Sequence, residues 1–176
     1  MKAVNTNEAI LSRYACRKFK DEQITAEQLN ALISAANAAP VGMGDYSGFE
    51  LIAVQDEEIR RAIDSGTAHA MPVMGDHPTY QAPTLMFICV KPNEQFPMIP
   101  YCGASCIAEN IMIQAAGLGL GSVYIMAVPT VMQQKNELLE KLNMSEGFLP
   151  VVLVSVGYPE DEHTPEKKER LKYSVI

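Results

Sequence analysis

The chain has no tryptophan, three histidines and only 14 lysines and arginines among 176 residues. Against 21 acidic residues this leaves a net charge of −7. That balance argues against nucleic acid or an anionic membrane as the main partner, without forbidding a local basic pocket. No apolar run approaches the roughly 20 residues needed to span a bilayer. The opening MKAVNTNEAI lacks the apolar core of a signal peptide, so the expected location is cytoplasmic. His69, His77 and His163 are scattered away from the four cysteines, Cys16, Cys89, Cys102 and Cys106, which is poor zinc spacing. The cysteines are expected to be free thiols, buried for structural reasons. Cys102 and Cys106 share a face if their segment is helical. Neither a P-loop nor a G-x-S-x-G elbow is present.

What is present is enough for a core. Hydrophobic residues make up 48% of the chain and charged residues 20%, which excludes global disorder. Thr6 to Arg13 reads as a short helix. Thr25-Ala26-Glu27-Gln28 fits a capping box, with Ile24 placed to staple onto Leu29. Leu29, Leu32, Ile33 and Ala36 continue at helical spacing until Pro40. Val41 to Gly48, with three glycines, reads as a loop. Phe49 to Gln55 reads as a strand, Glu57 to Asp64 as a short helix and His69 to Ala82 as a long loop. TLMFICV at Thr84 to Val90 is a strand covered on both faces. Gly103 to Leu118 is a long helix, apolar nearly all round. Ser122 to Met126 is a strand, Thr130 to Leu142 a helix and Val151 to Val156 a buried strand. The order predicts a layered α+β or α/β domain, one domain over residues 1–176, with a small central sheet. Leu171, Tyr173 and Val175 alternate before Ile176, predicting a final extended segment.

Cations are scarce, so clusters matter. Arg13, Arg17 and Lys18 form one; Lys167, Lys168, Arg170 and Lys172 form another. Together they could hold an anion such as phosphate, or they are two solvated faces. Arg60 lies outside both and is expected to take no part. Gly42-Met43-Gly44 and Gly117 to Gly121 let backbone approach a flat ligand, though the second stretch is equally a plain helix cap. It follows a helix rather than opening one, so a dinucleotide fingerprint is excluded. Glu109 and Asn110, inside an apolar helix, read as polar bridges to a neighbouring helix or to Ser105. Met71, Met74, Met98 and Met126 lie in or near loops, as core filling or pocket lining. Acids and bases in catalytic arrangement are lacking, as in enzymes whose cofactor carries the chemistry.

Ser12-Arg-Tyr-Ala-Cys-Arg-Lys-Phe19 resembles the R-R-S-x-R-x-F opening of the FMN-dependent nitroreductase family. Ala39-Pro-Val-Gly-Met-Gly44 resembles its A-P-S-A-x-N loop, and Tyr80-Gln-Ala-Pro83 its D-A-P approach to a central strand. Gly103 to Gly121 followed by Ser122-Val-Tyr-Ile resembles its long helix and L-G-L-G-x-x-W-I turn; Val156-Gly-Tyr-Pro159 and the basic tail complete the ordered set. Ala15 stands for the family's Ser, Gly44 for its Asn, and Tyr46-Ser-Gly48 for its Q-P-W. The resemblance implies a three-layer α+β fold with a mostly antiparallel sheet and a C-terminal strand added to the partner subunit of a homodimer. It implies FMN as cofactor and NADH or NADPH as reductant. Arg13, Arg17, Lys168 and Arg170 would hold the phosphate and ribityl chain, with backbone contacts from Tyr14 and Ala15. Pro40, Val41, Gly42 and Gly44 would border the ring. Ile125, Met126 and Ala127 would aim backbone N–H groups at its N5 and O4 edge. No side chain need be catalytic. The implied reaction is ping-pong hydride transfer to a nitroaromatic, quinone or similar small acceptor. Reductive dehalogenation, or a flavin-binding or storage role with little turnover, are the alternatives.

Overall fold

A computed structural model describes residues 5–161 and 171–176 of the chain. Capping boxes set the first two helices. In α1 (Thr6–Ser12) the Asn5 side chain accepts from the Asn7 amide at 2.9 Å, and Glu8 accepts from the Asn5 amide at 3.2 Å. In α2 (Ala26–Asn37) Thr25 and Gln28 exchange the same pair of bonds. Four strands follow: β1 (Phe49–Val54), β2 (Thr84–Val90), β3 (Gly121–Ile125) and β4 (Leu149–Gly157). They lie in the order β1-β2-β4-β3, antiparallel at every step.

Each residue of β2 is buried because both faces of the sheet are covered. Met86, Ile88 and Val90 join Val152, Val154 and Val156 under α2 and α4 (Met98–Gly117). Leu85, Phe87, Cys89 and Leu153 face the other way. There they meet Ile63 of α3 (Glu57–Ala70), Val128 and Met132 of α5 (Ala127–Met132) and Leu138 of α6 (Asn136–Leu139). This is a three-layer α+β architecture. Burial, with the Glu50 charge adding to it, pushes the Cys89 thiol up to about 12, leaving it chemically inert.

The long helix begins at Met98 rather than at Gly103. Pro97 is its N-cap and Pro100 sits in its first turn, where a missing N–H costs nothing. It ends as a glycine cap: the Leu120 amide reaches the Ala115 carbonyl at 2.8 Å, the Gly119 amide reaches Ala116 at 3.1 Å, and Gly119 takes φ +74°. The helix expected over Thr130 to Leu142 is instead α5, α6 and a 3-10 turn at 140–142, broken at Lys135 (φ −134°, ψ 89°). α3 runs on through Gly66 to Ala70, and Leu138 packs closely against Gly66, where a Cβ would lie 2.8 Å from a Leu138 methyl and make that side chain shift. The glycine's cost in helix propensity is offset by that packing. Arg60 is not a bystander: its guanidinium donates to the Gln55 and Ala82 carbonyls at 3.3 and 3.1 Å.

Asp64, on α3, ties down the loop before β2. It accepts from the Thr79 amide (2.9 Å), the Thr79 hydroxyl (2.7 Å) and His77 Nδ1 (2.8 Å), while the Ser155 hydroxyl donates to the Thr79 carbonyl. Bonds to a buried carboxylate are worth about 1.5–3 kcal/mol each when lost uncompensated. Asp64→Asn keeps the shape but weakens this set, and is expected to cost about 2 kcal/mol. Thermal melting should fall by roughly 4–8 °C; an unchanged melting point would mean that the loop is held elsewhere.

Candidate functional site

Residues 13–20 run along the edge of the sheet. Ala15 pairs in parallel with Ser122, and the Cys16 amide donates to the Ser122 carbonyl at 2.9 Å. Farther on, the Lys20 amide donates to Tyr158 and Phe19 pairs with Pro159. Gly121 makes this approach possible, since a Cβ there would lie 2.6 Å from Cys16 Sγ. Beside the segment lies a cavity of about 170 Å³, lined by Ser12, Arg13, Tyr14, Gly119, Ser122 and Asp161 among others. Burial lifts the Tyr14 phenol to about 12, with the Cys16 thiol and the Asp161 charge acting the same way. Tyr14 is therefore a neutral hydrogen-bonding group at physiological pH.

The two arginines of the motif part company. Arg13 lines the cavity and pairs through Nε with Glu109 of α4 at 3.4 Å. Arg17 turns onto the Tyr80 ring, 6.0 Å from its centroid. Lys18 pairs with Asp161 at 3.8 Å. Lys168 and Arg170, the tail members expected to join them, lie outside the described residues.

The remaining expected site residues are strung along α4. Pro40, Val41, Gly42 and Gly44 sit at its start, where Gly42 packs against Ile99. Ile125 ends β3, Met126 caps α5 and Ala127 opens it. Their neighbour Tyr124 meets Ser105, partway along α4, through its hydroxyl at 3.1 Å. Arg13 and Tyr14 share their cavity with Ala116 and Gly119, at the helix's end. From Ile99 to Gly117 the axis is about 27 Å long. The single chain therefore does not gather the Arg13 group and the Pro40–Gly44 group around one point.

α4 is also less buried than its composition predicts. Met98 (69% exposed), Tyr101, Cys102, Ser105 and Glu109 form one outward stripe. Cys102 is exposed and Cys106 half-buried, both free, so the expectation of buried cysteines holds only for Cys16 and Cys89. Asn110 does bridge to a neighbouring helix, donating to the Ala35 carbonyl at 3.0 Å. Glu109 instead meets Arg13. Sequence reading gave no role to the Asp64–Thr79 tether or to Tyr80 as the partner of Arg17. Their contacts skip 13 to 15 positions or more and follow no period. Among the described residues no cluster of His, Cys, Asp and Glu could hold a metal, and no helix is long and apolar enough to cross a membrane.

The Nitroreductase family model matches residues 10–75 and 66–158. The NADPH-flavin oxidoreductase of Vibrio harveyi is 28% identical over 187 residues, spanning 98% of this chain and 72% of that protein. The FMN reductase (NADPH) of Bacillus subtilis is 25% identical over 192 residues, with 98% and 72% covered. Among solved structures, a nitroreductase with bound FMN from Bacteroides fragilis aligns with a TM-score of 0.77 at 26% identity, covering 98% of this chain and 97% of that one. A nitroreductase with bound FMN from Desulfitobacterium hafniense shares the fold, with a TM-score of 0.83 at 22% identity over 97% of this chain and 99% of that one.

Proposed function

The chain belongs to the nitroreductase family, and from that premise we propose that it is an FMN-dependent oxidoreductase drawing on NADH or NADPH. Its acceptor is a nitroaromatic, quinone or similar small molecule, reduced in a second half-reaction after the nicotinamide has left. The observation that carries this reading is the cavity at the sheet edge. Arg13, Ser12, Tyr14 and Ser122 line it together beside Asp161, whose carboxylate pairs with Lys18, and the four donors fit a phosphate and a polyhydroxyl chain. When bound, FMN supplies the hydride acceptor and donor. The chain's own part is to bind, orient and hold charge. Arg13 and Arg17, with Lys168 and Arg170, serve the phosphate and ribityl chain, and the Tyr14 and Ala15 backbone fixes them. Pro40, Val41, Gly42 and Gly44 border the ring. The Ile125, Met126 and Ala127 backbone donates N–H groups to the ring edge, where they stabilise negative charge. Met126, 53% exposed, leaves that face open to two molecules in turn.

The site is completed by a second copy of the chain. A twofold axis across α4 lays the start of one helix beside the end of its mate, bringing the Pro40–Gly44 loop of one protomer to the Arg13 cavity of the other. The outward stripe of α4 and the exposed Ile10 and Leu11 of α1 supply the apolar surface for that contact. The four free thiols suit action in the cytoplasm.

The test is a spectrum followed by kinetics. Purified protein should show oxidised-flavin absorbance, or acquire it with FMN, and should bind FMN more tightly than riboflavin. NAD(P)H oxidation should then accelerate with an added nitroaromatic or quinone, giving parallel lines in double-reciprocal plots. Flavin binding without acceptor-dependent oxidation would favour a storage role; no flavin binding at all would overturn the reading.

A further inference from the structure

Tyr80 and Gln81 are consecutive non-glycine residues with left-handed backbone, φ +57° and +53°. Such residues persist only where their surroundings over-determine them, and they mark places where geometry serves a purpose. Here the surroundings are unusually insistent. Asp64 holds Thr79 by both amide and hydroxyl, and Ser155 holds the Thr79 carbonyl. Arg60 holds the Ala82 carbonyl at 3.1 Å, and Gln23 holds the Pro83 carbonyl at 2.7 Å. The turn is thus pinned on both sides of the strained pair by side chains from α3, β4 and the segment before α2. What the strained pair presents is the half-buried Tyr80 ring, packed on the core, with the Arg17 guanidinium over it.

We infer that Tyr80 is a positioning residue: its ring holds the exposed Arg17 guanidinium in the orientation in which it meets the flavin, and the pinned left-handed turn exists to aim that ring. The inference rests on the reading of Arg17 as a flavin-binding residue. A guanidinium drawn over a ring at 6.0 Å keeps its N–H groups available to donate while its range of positions is narrowed. Without the ring, a long side chain must be ordered at the moment of binding, which weakens the ligand rather than the fold. Nothing in this role asks for the phenolic hydroxyl.

FMN titrations of the apo proteins, followed by quenching of flavin fluorescence, test this on four variants. Tyr80→Leu is expected to weaken FMN about three- to fivefold, the size of an exposed cation–π contact. Tyr80→Phe, which keeps the ring, should bind within twofold of the parent. Arg17→Ala should weaken FMN more than Tyr80→Leu, and Tyr80→Leu added to Arg17→Ala should bring no further loss. If Tyr80→Leu costs the same in the Arg17→Ala background, the ring acts through the turn and not through Arg17, and the inference is overturned while the flavin-binding reading stands. If Arg17→Ala leaves FMN affinity unchanged, the role of Arg17 itself falls, and this inference with it. An equal loss for Tyr80→Phe and Tyr80→Leu would place the effect on the hydroxyl and also overturn it.

Discussion

Deleting Leu171 to Ile176 is expected to dissociate the proposed dimer and abolish FMN binding in the same step. In a single chain these residues have nowhere to go. Leu171 is 86% exposed, Tyr173 78% and Val175 93%, and Ile176 is fully exposed. Each of Leu, Val and Ile contributes about 1.5–3 kcal/mol when fully buried, so docking the tail on a partner is worth on the order of 5 kcal/mol. An extended segment docks most readily by adding to a sheet edge, where backbone bonds give affinity and alternate side chains give fit. β1 carries a strand ladder on one side only, whereas the outer side of β3 is already met at Ser122 by Ala15 and Cys16. Removing 5 kcal/mol raises the dimer dissociation constant by more than a thousandfold, enough to make the protein monomeric at micromolar concentration. Flavin must then be lost too, since the Arg13 cavity and the Pro40–Gly44 loop belong to opposite ends of α4. Sedimentation velocity at 450 nm, with total protein followed at 280 nm, reads both. A truncated protein that remains dimeric and yellow would remove the tail from the interface.

The parts of this molecule that a sequence displays well are those set by local rules. The β2 run, the Thr25–Gln28 capping box and the glycine cap after α4 each depend on neighbours within about five positions, and each appears where the pattern places it. Errors arose where a local signal had a non-local answer. The long helix reads from Gly103, yet it begins at Met98, with Pro97 and Pro100 at a helix start that needs no N–H from them. The helix read as ending at Asp64 runs on to Ala70, with Leu138 packed against Gly66 from far along the chain. Arg60 looks idle in sequence and is bonded to two carbonyls far apart along the chain. In the candidate site, scarcity of cations marks the cluster of Arg13, Arg17 and Lys18, and the family resemblance turns it from a solvated face into a site. No pattern could show that the chain between them bridges to Ser122 at the sheet edge, or that one arginine meets a carboxylate and the other a ring. A left-handed pair without glycine or asparagine has no signature at all, so the sequence does not display the conformation of Tyr80 and Gln81.

Arg13→Ala is expected to weaken FMN binding by about a hundredfold while changing riboflavin affinity less than threefold. A hydrogen bond to a charged partner contributes about 1.5–3 kcal/mol, and the guanidinium fork is matched to phosphate oxygens in a way that lysine is not. Arg13 has a second task. Its Nε lies 3.4 Å from Glu109 Oε1, so the guanidinium stands between that carboxylate and the cavity. Once Arg13 is gone, the Glu109 charge loses the pairing shown among the described residues, and it adds to the repulsion of an incoming phosphate by a protein whose net charge is −7. The loss should therefore exceed that of one hydrogen bond, and should shrink with added salt as the repulsion is screened. Glu109→Gln in the Arg13→Ala background should recover part of it, about three- to tenfold, by removing the repulsion without restoring the donor. Lys141→Ala is the suitable control, being exposed in the turn after α6; Arg60→Ala is not, because it would unpin the turn before β2. Isothermal titration of each apo variant with FMN and with riboflavin gives all the needed ratios. If riboflavin weakened in step with FMN in Arg13→Ala, the side chain would be supporting the cavity wall through Glu109 and α4, and the phosphate would have to be held elsewhere.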